Sequence, residues 1–215
     1  MVRWGLYSLR NLWARRVTTA LTVVGLGLVV FVLLAVLMLA HGLERTLGKT
    51  GDPENVIILR KGALSEIGSS LSREEIRAVA AQPDVRLTAD GRPLAVAEVG
   101  LQLTLRKGQG GSLTSVTLRG TAPEALAVRP AILLIQGRLW KPGTTEIVVG
   151  ASIARQFPDA RVDRVLHFGN RAWTVVGVFE AGGSGFDSEV WGDAEQFLAT
   201  FHRATFSSMT LRLAH

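Results

Sequence analysis

The segment Val17–Ala40, VTTALTVVGLGLVVFVLLAVLMLA, runs for 24 residues without a charged side chain. A helix rises 1.5 Å per residue, so this one would be roughly 36 Å long, against a hydrocarbon core of ~30 Å. No face of it is polar, so a soluble core would have to surround it completely. The reading is a transmembrane helix with an extension, over residues 17–47. A cleaved signal peptide is the alternative. Its apolar stretch is about 7–15 residues and leads to a small-x-small site, whereas here the residue two before Ala40 is Met38.

Residues 1–16 carry Arg3, Arg10, Arg15 and Arg16 and no acid. The whole chain has 24 Lys+Arg and 18 Asp+Glu, a net +6, so this flank alone holds +4. Residues 41–215 hold 20 bases and 18 acids, only +2. The basic balance is therefore a topology signal and not the footprint of a nucleic-acid binder. It places the N-terminus in the cytoplasm and the main domain outside. Val2, Leu6, Leu9, Trp13 and Val17 share one helical face, which Arg3, Ser8, Asn11 and Arg15 avoid. Trp4 and Trp13 suit the headgroup region. Residues 1–16 read as an interfacial cytoplasmic segment, with a disordered basic flank as the alternative. Within the span, Thr18, Thr22 and Gly25 recur at helical spacing and offer a small-residue face for helix packing.

The 165 residues from Gly51 onward suffice for a folded extracytoplasmic domain. The chain has no Cys. That excludes a disulfide scaffold, Cys-ligated zinc and a thiol nucleophile. Asn55–Arg60 reads as a buried strand. Ser72-Arg73-Glu74-Glu75 is a capping box that opens a helix to about Ala81, before Pro83. Leu101, Leu103 and Leu105 alternate with polar residues, and Leu113–Arg119 returns after the turn Gly108–Gly111, so the pair predicts a hairpin. Thr121–Glu124 reads as the cap and first turn of a short helix. Strands are expected at Ala131–Gln136, Glu146–Val149, Val165–Phe168, Ala172–Phe179 and Ser207–Leu213. Helices are expected at Ala151–Phe157 and from Asp193 to about Phe201. The fold class is α+β, a transmembrane helix followed by a mixed, two-lobed domain over 51–215.

Catalytic motifs fail on spacing. Gly42–Thr50 ends like a Walker A loop, but five residues separate Gly42 from Gly48 where four are needed. His41, His167, His202 and His215 form no helical metal-ligand pair. Gly183-Ser184-Gly185 follows a strong strand, yet a nucleophile elbow needs glycine where Phe186 stands. Asp187 and Glu189 could share a face for acid–base work, but read as a solvated loop pair. No catalytic, cofactor-binding or metal-binding residue is assigned.

The most distinctive stretch is Trp173–Asp193, WTVVGVFEAGGSGFDSEVWGD. A strand runs into Gly182-Gly183-Ser184-Gly185, and Phe186 and Trp191 follow. Such a loop reads as a contact surface with Phe186 exposed, made of Gly182, Gly183, Ser184, Phe186, Asp187, Ser188, Glu189 and Trp191. The alternative is a plain hairpin whose aromatics pack in the core.

Several blocks together resemble ABC transporter permease subunits of the MacB/FtsX superfamily. They are Leu9–Trp13 with Arg15-Arg16 and Thr19–Thr22, then Asn55–Gly62, Gly137-Arg138, Glu146–Gly150 with Ala154, and Trp173–Asp193. The last, with Phe206-Ser207-Ser208, is most similar to DevC-like permeases of bacterial export systems. The resemblance implies a cytoplasmic segment, a first membrane helix and a MacB-like periplasmic core domain in the bacterial inner membrane. It implies lobes near 51–120 with 205–215, and near 130–200. It also implies a separate ABC ATPase subunit, a periplasmic membrane-fusion adaptor, a homodimer and no cofactor. Such permeases continue with three more membrane helices. The sequence ends at His215, so the expectation is an N-terminal part or a reduced homologue that transmits ATPase-driven motion to the periplasmic side. A single-pass anchored scaffold or binding domain without an ATPase is the other expectation.

Overall fold

The computed structural model describes residues 16–48, 54–107 and 111–214. Arg3, Trp4, Arg10, Trp13 and Arg15 lie outside them, as does most of the Gly108–Gly111 turn. The chain divides into two units, with the boundary between Leu47 and Gly48.

The first unit contains the helix α1 (Arg16–Gly48). Its stretch Arg16–Gly42 is long and apolar enough to cross a membrane, and no part of the apolar window is buried in protein. Leu21, Val24, Leu28, Phe31 and Leu39 are all exposed, which water would not tolerate over so long a surface. The Thr22 hydroxyl donates to the Thr18 carbonyl at 2.9 Å, so this polar group is satisfied within the helix. A Cβ added at Gly25 would meet nothing within 4 Å, so a neighbouring helix could approach closely there.

The second unit begins with β1 (Asn55–Ile58) and α2 (Arg73–Ala80). Ser72 caps α2 as the spacing requires: its side chain accepts from Glu75 N–H, and the Glu75 carboxylate accepts from Ser72 N–H. The hairpin is β2 (Ala95–Arg106) and β3 (Leu113–Thr121). There follow α3 (Ala125–Val128), β4 (Leu133–Gly137), β5 (Glu146–Gly150), α4 (Ala151–Gln156), β6 (Val165–Phe168) and β7 (Arg171–Glu180). A 3-10 turn (Gly185–Ser188) leads to β8 (Glu189–Asp193), α5 (Ala194–Thr200) and β9 (Ser208–Arg212). Gly169 and Asn170 both adopt positive φ, 57° and 56°, the conformation of a two-residue turn between twisted strands such as β6 and β7.

The nine strands follow the order β1-β9-β2-β3-β8-β5-β7-β4, with β6 also on β7. The β3–β8 and β5–β7 pairs are parallel, and the other pairs are antiparallel. The sheet is mixed, and the chain is α+β as expected. Both faces of its centre are covered. Ile147, Val149, Val190 and Trp173 pack with Phe197 and Ile153 on one face. Val148, Phe179 and Trp191 pack with Val128 and Trp140 on the other.

Four local expectations need correction. Asn55–Arg60 is not a buried strand: β1 ends at Ile58, is half-buried, and has Ile57 exposed. β2 begins at Ala95, six residues before the expected alternation. Thr121 ends β3 and caps nothing; Glu124 precedes the one-turn helix α3 without a side-chain cap. Glu189–Asp193 is no loop but a strand buried throughout.

Candidate functional site

The glycine-rich block folds into a closed turn. Asp187 is buried, and its carboxylate accepts from Ala181 N–H and Gly183 N–H, each at 2.7 Å. Gly182 and Gly183 have φ of 62° and 80°, which glycine adopts without strain. The turn packs tightly on β5: a Cβ on Gly150 would lie 2.3 Å from the Asp187 carbonyl oxygen.

The expected exposure of this block is overturned. Ser184, Asp187, Glu189 and Trp191 are buried, and Phe186 is half-buried. Asp187 and Glu189 are therefore not a solvated pair. Only Gly182, Gly183, Gly185 and Ser188 remain exposed. The aromatics turn inward because a closed Asp187 turn feeds a central strand, and Trp191 on that strand faces the core. The Ser184 hydroxyl is buried without a hydrogen-bond partner, so no base activates it in this arrangement.

Behind the turn lies a buried charge cluster. Arg119 on β3 donates to Glu189 on β8 from Nε and Nη2, at 2.8 and 3.0 Å. Its Nη1 reaches Glu98 on β2 at 3.2 Å, and its Nη2 reaches Glu66 at 3.1 Å. Arg129, at the end of α3, grips both oxygens of Glu98 and donates to the Thr210 hydroxyl on β9 at 2.9 Å. Thr210 in turn donates to Glu98, and Ser208 to Glu66, both at 2.9 Å. Trp191 Nε1 donates to Glu189 at 2.7 Å. The Phe186 ring covers both guanidiniums, 5.3 Å from that of Arg119 and 5.2 Å from that of Arg129, a favourable cation–π geometry.

Glu98 is 0% exposed, and Arg119 and Arg129 are 5% and 6%. Burial pushes the Glu98 carboxyl up, but the charges of Arg119 and Arg129 outweigh it and hold Glu98 below the ordinary carboxylate range. Burial opposes the charge on Arg119, and Glu189 and Glu98 more than restore it. The charges can stay buried because nearly every donor and acceptor is used.

Sequence reasoning missed Glu98, Arg119, Arg129, Glu66 and Thr210. One signal was available. Glu98 interrupts AVAEVG and Arg119 interrupts VTLRGT, and opposite charges on inward positions of neighbouring strands point to a buried pair. A cleft of about 590 Å³ also opens between the start of β2 and the end of β3. Its walls include Ala95, Ala97 and Phe206 on one side and Thr121, Pro123 and Ala194 on the other. Among the described residues no group of three His, Asp or Glu could hold a metal ion.

The extracellular domain of the noncanonic ABC-type transporter YknZ from Gram-positive bacteria is similar, with a TM-score of 0.55 and 16% identity, covering 75% of this chain and 83% of that one. The periplasmic region of MacB from Actinobacillus actinomycetemcomitans is similar too, with a TM-score of 0.57 and 16% identity, covering 75% of each chain. At such identities the likeness is one of fold. No curated protein matches the chain. The model of the MacB-like periplasmic core domain matches residues 19–215, from the apolar helix through β9, and the chain therefore belongs to the MacB-like periplasmic core domain family.

Proposed function

We propose that the chain is the N-terminal part of a permease subunit of an ATP-binding cassette export system. The single observation that carries this reading is the family match, which runs from the membrane-spanning helix through the whole sheet domain. The family is a permease component of ABC transporters and is not itself the catalytic subunit. In this reading ATP hydrolysis falls to an ABC ATPase subunit.

The helix crosses the bacterial inner membrane once, with Arg3, Arg10, Arg15 and Arg16 on the cytoplasmic side. The domain over 51–215 lies in the periplasm and carries ATPase-driven motion to it. A second copy pairs with the first, with Thr18, Thr22 and Gly25 as packing face. The periplasmic adaptor meets the domain at the exposed rim of the glycine turn, Gly182, Gly183, Gly185 and Ser188. The domain is built of two lobes, one near 51–120 with 205–215 and one near 130–200.

Affinity purification of the full chain from bacterial membranes tests the reading. Recovery of an ABC ATPase with the chain is expected, and more of it when a non-hydrolysable nucleotide holds the ATPase dimer closed. Recovery of the chain without any ATPase would favour the anchored scaffold.

A further inference from the structure

We propose that the cluster of Glu98, Arg119, Arg129 and Glu189 is a latch across a hinge in β2. A change of pairing partner marks the place. Residues Ala95 to Glu98 of β2 pair with β9. Residues Val99 to Arg106 pair with β3. The strand changes partner between Glu98 and Val99, so the nine strands form two ladders joined through β2 at this point. One ladder is β1, β9 and the start of β2. The other runs from the end of β2 through β3, β8, β5 and β7 to β4.

The charged side chains meet where the backbone ladder breaks. Glu98 stands at the partner change. Arg119 and Glu189 belong to the second ladder, and Thr210 and Ser208 to the first. Glu66 bonds across the seam, to Arg119 of the second ladder and Ser208 of the first, while Arg129 bonds Glu98 and Thr210 of the first ladder and lies over the Trp191 ring of the second. Apolar contacts also cross it, with Val96 against the cluster of Val128 and Trp191. Dispersion contacts tolerate small sliding. Buried guanidinium–carboxylate bonds do not, because a half-made pair leaves a charge without water or partner. The latch is therefore either closed or fully parted, and while closed it makes both ladders move as one body. Phe186 covers it, so the glycine turn is fastened to the same joint. The cleft beside the seam has walls from both ladders and would change width when the latch parts.

The inference rests on geometry and stands apart from the permease reading; absence of an ATPase partner would leave it intact. The natural lack of Cys makes paired spin labels clean reporters in the full chain in detergent micelles. Ile57→Cys with Leu133→Cys places labels on the two edge strands, one in each ladder. Leu113→Cys with Leu133→Cys lies wholly within the second ladder. With Glu98 present, both pairs are expected to give single narrow distance distributions. In Glu98→Gln the cross-ladder pair is expected to gain a second, shifted maximum, while the within-ladder pair stays narrow. An unchanged cross-ladder distribution would overturn the latch. Should Glu98→Gln disturb the within-ladder pair as well, Glu66→Gln decides, since Glu66 is a quarter exposed and bonds Arg119 of the second ladder and Ser208 of the first. A change confined to the cross-ladder pair then supports the latch, and no change overturns it.

Discussion

At the scale of single residues, burial decides which charges matter. Glu98→Leu would leave Arg129 in the core without its carboxylate, and breaking a buried pair in this way costs about 3–5 kcal/mol. The Arg73–Glu195 pair is also close, at 2.6 Å, but both side chains are about half exposed. Arg73→Ala should therefore cost only about 0–1 kcal/mol. Urea unfolding of the full chain in detergent, followed by tryptophan fluorescence, distinguishes the two. Equal midpoints would contradict the ranking. Glu146 offers a pH test. The Arg138 guanidinium bonded to it, and next the Lys141 N–H, outweigh a modest burial cost and bring its carboxyl from the ordinary 4.5 down to about 2. A lowered folded value means the interaction stabilises fully above about pH 4.5 and is lost as pH falls through about 2. In Arg138→Gln the Glu146 carboxyl is expected to titrate back toward 4.5, read by carboxyl-carbon NMR. A titration that stays near 2 would show that Arg138 is not the cause.

At the scale of elements, the glycine turn shows what holds this fold in place. Gly150 and Gly185 lie on either side of the same contact but should respond oppositely. Gly150→Ala would drive a Cβ into the Asp187 backbone and push the 3-10 turn off β5, at about 1–3 kcal/mol. Gly185 has a negative φ and nothing within 4 Å of an added Cβ, so Gly185→Ala should stay within about 0.5 kcal/mol. Thermal unfolding gives the comparison, and faster hydrogen exchange at 181–188 in Gly150→Ala alone would localise it. The same elements explain what was legible beforehand. The Ser72 capping box, the Gly169-Asn170 turn and the cap of α5, where the Asp193 carboxylate accepts from Gln196 N–H at 2.9 Å, are set by neighbours within a few residues, so their spacing announced them. β8 was hidden because Glu189, Gly192 and Asp193 break every alternation in a five-residue run. Its strand character comes from β3, some seventy residues earlier, and from β5. The start of β2 was hidden by Glu98, whose charge reads as exposed until Arg119 and Arg129 are seen around it. Exposure of Phe186 was misjudged for the same reason: the ring's partners are guanidiniums from distant segments.

At the scale of the whole molecule, two units of opposite character follow each other in sequence. The first is a helix whose apolar surface is unburied among the described residues, and the second is a sheet domain with a core on both faces. A bilayer would cover the first without exposing it to water, and the arginines of residues 1–16 then give the crossing its proposed direction. The structure also selects a fair reporter for that direction. Ser184, attractive from sequence as part of a glycine loop, is 5% exposed and would resist labelling on either side of the membrane. Ser188, four residues on, is exposed. With no native Cys to compete, Ser188→Cys should react with a membrane-impermeant maleimide in intact spheroplasts, while Ser8→Cys, outside the described residues, should react only after lysis. Ser184→Cys should stay unreactive in both until the domain is unfolded, which separates burial from topology. Labelling of Ser8→Cys in intact spheroplasts, with Ser188→Cys protected until lysis, would invert the proposed orientation. The ATPase partnership would fall with it, since the nucleotide and the arginine-rich flank must share the cytoplasm for ATP-driven motion to enter the domain from that side.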